Sequence, residues 1–154
     1  MVPTPVPYAA LKRAFDVVAS SALILLLLPL MAAIALAVKL GSRGPVFYVS
    51  ERIGLCGRPF AFVKFRSMYP DAERRKDELM AQNESEGPIF KIKCDPRITP
   101  IGRFLRKYSL DELPQLFAVL VGHMSMVGPR PPLRREVEQY DSRCCERLSV
   151  LPGL

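Results

Sequence analysis

Hydrophobic positions along the chain fall into one long run and several short periodic segments. The long run extends from Val17 to Val38, carries no charge and is broken only by Ser20, Ser21 and Pro29. A helix of that length can cross the roughly 30 Å hydrocarbon core of a bilayer. Three readings fit it: a cleaved signal peptide, a spanning helix, or a re-entrant hairpin that enters and leaves by one face. The signal peptide is disfavoured, because the run is longer than a usual signal core and no disulfide framework follows. Pro29 removes one backbone hydrogen bond and clashes with the carbonyl of Leu25, which predicts a bend there. The flanks are equally basic, with Lys12 and Arg13 before and Lys39 and Arg43 after, and this suits both ends on the cytoplasmic face. Kinked spanning helices are common, however, so composition leaves span and hairpin even. Residues 1–11 contain three prolines and read as a flexible tail.

After a turn at residues 41–45, two short β-prone runs follow, Val46–Val49 and Phe60–Val63, with Gly54 and Gly57 between them. They predict a loose β-hairpin. Lys64 and Arg66 come next, two cations whose ordinary role is to protect a strand edge. Asp71–Glu84 reads as a charged surface helix, and Ile89–Lys93 as a further short strand. Thr99-Pro100 is a helix start with a capping hydroxyl and proline at the first position. Ile101, Phe104, Leu105 and Tyr108 share one face of that helix, with Arg103, Arg106 and Lys107 around it. Such a basic amphipathic helix suits a membrane interface and a soluble core equally.

Leu113, Leu116, Phe117 and Leu120 follow a helical period. Pro114 favours a start near Asp111, since proline is tolerated only in the first turn. That puts Asp111 and Glu112 among unpaired N–H groups at the positive end of the helix. Taken alone, the bland alternative is stronger: Ser109 and Glu112 as a capping box, with Asp111 an ordinary first-turn acid. Arg134–Arg147 is another mixed-charge helical stretch.

Composition narrows the chemistry. The chain has 154 residues, 49% of them apolar, enough for one small domain with a core. Its 22 basic against 15 acidic residues give +7, which implies nucleic acid, an anionic membrane surface or a phosphorylated substrate. Tryptophan is absent and aromatics are not interleaved with the basic clusters, so a base-stacking surface is unsupported. The cysteines at 56, 94, 144 and 145 form no C-x-x-C unit, and His123 is the one histidine. A zinc site is therefore unsupported, and free thiols in a reducing compartment fit.

Several separated strings then agree in order: KRAFD ahead of the apolar run, GPVFY, ERIG, KFRSM, DPRIT, IGRFLRKYSLDELPQL and GHMSMVGPRP. Over residues 11–154 the chain resembles the bacterial sugar transferase family, the monotopic phosphoglycosyl transferases. The resemblance implies transfer of a sugar-1-phosphate from a UDP-sugar to polyprenol (undecaprenyl) phosphate with release of UMP, at the start of exopolysaccharide or glycoconjugate assembly. It implies Asp111 and Glu112 as the catalytic dyad, Asp111 as a nucleophile forming a covalent phosphosugar intermediate, and Mg2+ held at the two acids. It assigns the nucleotide to Arg130, flanked by Pro129 and Pro131, and makes Lys64, Arg66 and Arg106 candidates for phosphate contact.

The same resemblance favours the re-entrant reading, with Pro29 as the break. The expected class is then α+β. Residues 12–40 form a re-entrant membrane helix, and residues 41–154 a cytoplasmic catalytic domain with interfacial amphipathic helices and short hairpin strands. The expected location is the cytoplasmic face of a bacterial inner membrane, among membrane lipids, with no nucleic acid; a homodimer is compatible.

A carboxylate suits nucleophilic attack at phosphorus because it is ionised at neutral pH and can later leave. The chain departs from the family pattern at Ala118, usually Asn, at His123, usually Asp, and at Leu28-Pro29, commonly Ser-Pro. Its end at residues 151–154 is where relatives usually continue, so a truncated piece, a short natural form and a degenerate copy stay open. These departures motivate a second reading, a member that binds nucleotide or lipid phosphate without turnover.

Overall fold

The computed structural model describes residues 6–78, 92, 95–141 and 145–154. Helix α1 (Val6–Gly41) is followed by strands β1 (Phe47–Ile53) and β2 (Pro59–Phe65), then helices α2 (Ala72–Glu78), α3 (Pro100–Lys107), α4 (Gln115–Val121) and α5 (Arg134–Val137). Short 3₁₀ turns occupy Leu55–Gly57, Leu110–Glu112 and Glu146–Ser149. The mixed α+β expectation holds: among the described residues, helices surround one two-stranded antiparallel sheet.

Leucine and alanine dominate α1 and favour helix throughout it. One expectation changes here. The helix begins at Val6, so residues 6–11 are its first turns and not tail. It continues on both sides of Pro29. Ile24 and Met31 are the nearest buried residues on either side, and residues 25, 26 and 28–30 are exposed, so the helix passes Pro29 with little packing to offset the one backbone bond that proline removes.

Asp16, Ser20, Ile24, Met31, Ile34 and Val38 form a buried stripe along α1, at the spacing of one helical face. Leu11, Phe15, Val18, Leu25, Leu26, Leu36 and Leu40 are exposed. The helix therefore has a docked side and an apolar outer side. Between residues 9 and 41 it is long and apolar enough to cross a membrane.

Met31, Ile34 and Val38 pack with Phe65 of β2 and Leu105 of α3 in the larger core cluster, joined by Leu110 and Leu113. A smaller cluster joins Phe62, Val119 and Met124, with Ala118 against it. Helix α3 is capped as expected, with Thr99 Oγ1 accepting from the Gly102 N–H at 3.0 Å and Pro100 opening the helix. Its expected apolar face divides. Leu105 is buried, whereas Phe104 and Tyr108 are exposed and pack on each other, with ring centroids 4.9 Å apart. A Cβ on Gly102 would fall 1.9 Å from the Ser67 carbonyl oxygen, so only glycine allows α3 to lie this close to residue 67.

The hairpin pairs Phe47 with Phe65 and Ile53 with Pro59. Both strands outrun the expected spans, because Lys64 and Phe65 continue the inward–outward alternation and Phe65 stacks on Phe47 at 5.3 Å. The end of the expected Asp71–Glu84 helix lies outside the described residues, as does the expected strand at 89–93 apart from Ile92. The Arg134–Arg147 stretch is not one helix: α5 stops at Val137 and turns. No residue of α5 is buried, so packing gives no support for a longer helix.

Both ends of α1 are tied to the rest of the molecule. Near the start, Arg13 donates to the Val119 and Leu120 carbonyls at the end of α4, at 2.7 Å each. Asp16 accepts from Lys12 at 2.8 Å, from Ser125 Oγ at 3.1 Å and from the Met126 N–H at 3.0 Å. At the far end, Arg66 donates to the Ser42 and Arg43 carbonyls at 2.8 and 3.1 Å.

Candidate active site

The chain reaches Asp111 through Ser109, which adopts the left-handed conformation (φ 55°) with no side-chain cap. Leu110–Glu112 then form a 3₁₀ turn, with Glu112 N–H donating to Ser109 O and Leu113 N–H to Leu110 O. The α-helix begins only at Gln115, after Pro114. This corrects one sequence expectation, since the acids precede α4 instead of opening it, and it removes the bland alternative, since the capping box between Ser109 and Glu112 does not form. The i to i−3 bonds set this geometry, since they hold the backbone too tightly wound for an α-helix.

Asp111 is 7% exposed, and among the described residues no side chain hydrogen-bonds its carboxylate. Burial raises the Asp111 carboxyl above the usual carboxylate range. Lys64 and Arg106 pull it down and Glu112 pushes it up. Glu112 accepts from Lys64 Nζ on β2 at 2.5 Å. Arg106, on α3, donates its Nε–H to Ser67 Oγ at 3.0 Å. One acid is thus neutralised by a lysine, and the other is buried within the field of that lysine and an arginine.

The loop 125–132 carries Arg130, which is exposed, between half-buried Pro129 and buried Pro131. Hydrogen bonds pin it at several points. Pro132 O accepts from the Ile53 N–H at 3.0 Å, Pro129 O from the Gly153 N–H at 2.8 Å, and Pro152 O from the Ser125 N–H at 2.8 Å. Gly128 and Gly153 stack backbone to backbone; a Cβ on either would come within 2.4 Å of main-chain atoms. Arg52, on β1, bridges hairpin and loop. Its Nη1 donates to Pro131 O at 3.4 Å, and its guanidinium lies 5.3 Å from the centre of the Phe62 ring.

Of the cations singled out from the sequence, Lys64 pairs with Glu112 and Arg106 acts on Asp111. Arg130 stands on the pinned loop beside Arg52. Arg66 does not serve as expected: it is 5% exposed, and its donors go to the Val38, Ser42 and Arg43 carbonyls and to Ser42 Oγ, at the end of α1. The physical reason is that the last turn of a helix leaves carbonyls unpaired, and a buried guanidinium satisfies several at once. Pro29 lies on α1 and exposed. Sequence reasoning missed Arg52 and Asp16. Arg52 could have been found from the alternation, which puts residues 52, 62 and 64 on one face of the hairpin.

The departures also find places. Ala118 packs on the Phe62–Val119–Met124 cluster. His123 stacks on Phe60 at 6.1 Å and lines a cavity of about 290 Å³ at the hairpin turn, with Cys56, Arg58 and Leu151. Cys56 and Cys145 are free thiols. Among the described residues no group of three or more His, Cys, Asp or Glu forms a ready cage for a metal ion. Asp111 and Glu112 do suit magnesium, which binds through one or two carboxylates together with substrate phosphate.

The chain matches the model of the family described as bacterial sugar transferase over residues 7–154. It is similar to the exopolysaccharide production protein ExoY of Rhizobium meliloti, 44% identical over 93% of this chain and 65% of that protein. It is also similar to the undecaprenyl-phosphate galactose phosphotransferase of Salmonella typhimurium, at 43% over 94% of this chain and 31% of that protein. A third relative is the UDP-N-acetylgalactosamine-undecaprenyl-phosphate N-acetylgalactosaminephosphotransferase of Aeromonas hydrophila, at 42% over 100% of this chain and 34% of that protein. The chain spans less than two thirds of each of these relatives.

Proposed function

Because the chain belongs to the bacterial sugar transferase family, we propose that it moves a sugar-1-phosphate from a UDP-sugar to polyprenol phosphate, in two steps at Asp111. The observation that carries this reading is the Asp111 carboxylate itself: buried, unclaimed by any described side chain, and flanked by Lys64 and Arg106.

In the first step an Asp111 oxygen attacks the sugar-bearing phosphorus. A bond from Asp111 to phosphorus forms, the bond from phosphorus to the UMP oxygen breaks, and UMP leaves with that electron pair. In the second step an oxygen of polyprenol phosphate attacks the same phosphorus, and Asp111 leaves as carboxylate. Lys64 and Arg106 offset the charge of an anion meeting a diphosphate, and Lys64 keeps Glu112 turned toward the site. Arg130 offers a forked donor to the nucleotide from a loop fixed at several points. A divalent ion bound through Asp111 and Glu112 would supply further charge neutralisation at the phosphates.

The membrane part of the reading is monotopic. Arg13 and Asp16 at one end of α1, and Val38 at the other, are bound to the same body, which carries the polar site. A helix with both ends docked on one water-facing body does not leave its ends on opposite sides of a bilayer. The exposed leucines at 25, 26, 28 and 30, around Pro29, are then the part that enters lipid. With the site on the cytoplasmic face, a soluble donor and a lipid acceptor both reach Asp111 at headgroup height.

The test is a panel of UDP-sugars with magnesium, read as UMP release and as intact mass of quenched protein. Wild type is expected to release UMP and to gain one phosphosugar. Asp111→Asn is expected to lose the adduct and at least about 10³-fold in rate. Full-speed turnover by that variant, or no release with any donor from folded protein, rejects the mechanism.

A further inference from the structure

Arg52 has more hydrogen-bonding capacity than the fold uses. A guanidinium carries five N–H donors. Among the described residues, Arg52 makes one side-chain hydrogen bond, the 3.4 Å contact to Pro131 O, and its Nε is buried without a partner. Compare Arg97, whose guanidinium forks onto Asp95 at 2.7–3.2 Å, or Arg66, whose Nε is likewise buried without a partner but whose Nη atoms give four hydrogen bonds at the end of α1. Those are structural arginines. Arg52 forms no ion pair among the described residues, although Glu136, the acid that faces it, is close enough to act on it; Glu136 also accepts from the Leu133 N–H at 2.8 Å.

The surroundings of Arg52 are unfavourable for a cation left alone. Lys64 Nζ lies 5.1 Å from the centre of the Phe62 ring and the Arg52 guanidinium 5.3 Å, so two cations share one aromatic ring. Arg130 and Arg135 add like charge. Glu112 answers Lys64, and nothing of comparable directness answers Arg52. The contact with the Phe62 ring, 5.3 Å from the guanidinium carbon, uses none of the N–H donors in a hydrogen bond and leaves them for a ligand. Pairing of Arg52 with Phe60 across the sheet fixes its backbone.

We propose that Arg52 is a donor-binding residue of this site, closing with Arg130 on the diphosphate of a nucleotide sugar. The inference rests on the sugar-transfer reading and adds a residue to it. Arg52 approaches from a rigid strand and Arg130 from a pinned loop, so the anion lies between two forks. Its arrival relieves the repulsion between them, and Lys64 is left to Glu112 beside the nucleophile.

The experiment uses the full chain in lipid nanodiscs and compares wild type with Arg52→Ala and Arg52→Gln. The probes are UDP and uridine, each titrated as a competitor of donor turnover and by calorimetry. UDP affinity is expected to fall about 10- to 100-fold in both variants. Uridine, which has no phosphate, is expected to change less than about twofold. Were Arg52 only a staple between hairpin and loop, Arg52→Gln would restore UDP binding to wild-type strength, which overturns the proposal. Arg52→Gln keeps the stem over Phe62 and a donor for Pro131 O, so it decides the case if the alanine variant does not fold. UDP binding at wild-type strength in the variants sinks this inference and leaves sugar transfer standing. Wild type that neither binds UDP nor releases UMP removes both.

Discussion

Replacing Asp16 by alanine isolates the tie between α1 and the loop that bears Arg130. Asp16 is 1% exposed and accepts from Lys12 at 2.8 and 3.0 Å, from Ser125 Oγ at 3.1 Å and from the Met126 N–H at 3.0 Å. Burial alone would raise its carboxyl, yet the bonds from Lys12, Met126 and Ser125 bring it below the usual value. Lys12 is about a third exposed, so its share is screened and its ammonium can turn to water. The Met126 N–H is the costlier loss, since a hydrogen bond to a charged acceptor contributes about 1.5–3 kcal/mol. That predicts amide exchange about 10- to 100-fold faster in peptides spanning residues 122–131. The hairpin at 47–65 serves as an internal control and should not change. Asp16→Asn keeps an oxygen for Met126 and should fall between. Hydrogen-exchange mass spectrometry in nanodiscs reads all three regions at once. Unchanged exchange in residues 122–131 of Asp16→Ala would refute the view that this carboxylate holds the loop.

Two further outcomes follow from the packing and the buried ion pair. In Gly102→Ala, helix propensity alone gains about 1 kcal/mol, but the new methyl meets the Ser67 carbonyl at 1.9 Å, and such overpacking costs about 1–3 kcal/mol or more. The expected result is a lower melting temperature; a higher one contradicts the close approach of α3. Asp95 is held below the usual carboxylate range, first by the hydrogen bonds from Arg97 and against the opposing effect of burial. Its stabilisation is therefore complete above the unfolded value of about 3.9 and is lost as pH falls through the lower folded value. The stability gap between wild type and Asp95→Asn, followed by far-UV circular dichroism, should be about 3–5 kcal/mol near neutrality and shrink in acid. A gap that does not vary with pH would show that this pair is not the source.

The elements set by local chemistry were readable from the sequence. The Thr99-Pro100 start of α3 is one, because a capping hydroxyl and a proline act within a single turn. The hairpin is another, although its strands extend to Phe65 because of ring stacking across the sheet. The adjacent acids at 111 and 112 could be named, but their helical setting could not. Whether Pro114 stands inside the first turn or before it depends on Ser109 adopting a left-handed backbone, which no propensity favours. Arg66 misled for a related reason. A cation after a strand looks like an edge or a phosphate contact until the end of α1 arrives beside it. Asp16 and Arg52 act across large separations in the chain, on residues 126 and 131. Local patterning cannot register such partners.

The three pieces of the site come from distant segments: Arg52 and Lys64 from the hairpin, Asp111 and Glu112 from a 3₁₀ turn, and Arg130 from a loop. Each is fastened to α1, two through one apolar cluster and the third through a buried carboxylate. Phe65 of the hairpin packs on Val38 and Ile34, and the turn is anchored by Leu110 and Leu113 on the same cluster. The loop hangs on Asp16 through Met126. The hairpin and turn meet the half of the helix after Pro29, and the loop and the end of α4 the half before it, while the Ile53–Pro132 hydrogen bond and the Phe62–Val119–Met124 cluster join the two groups directly. An apolar helix that only tethered a soluble enzyme would have no reason to bury an aspartate near one end and receive an arginine at the other. Its polar contacts fit a helix that also holds the hairpin, the turn and the loop on one body.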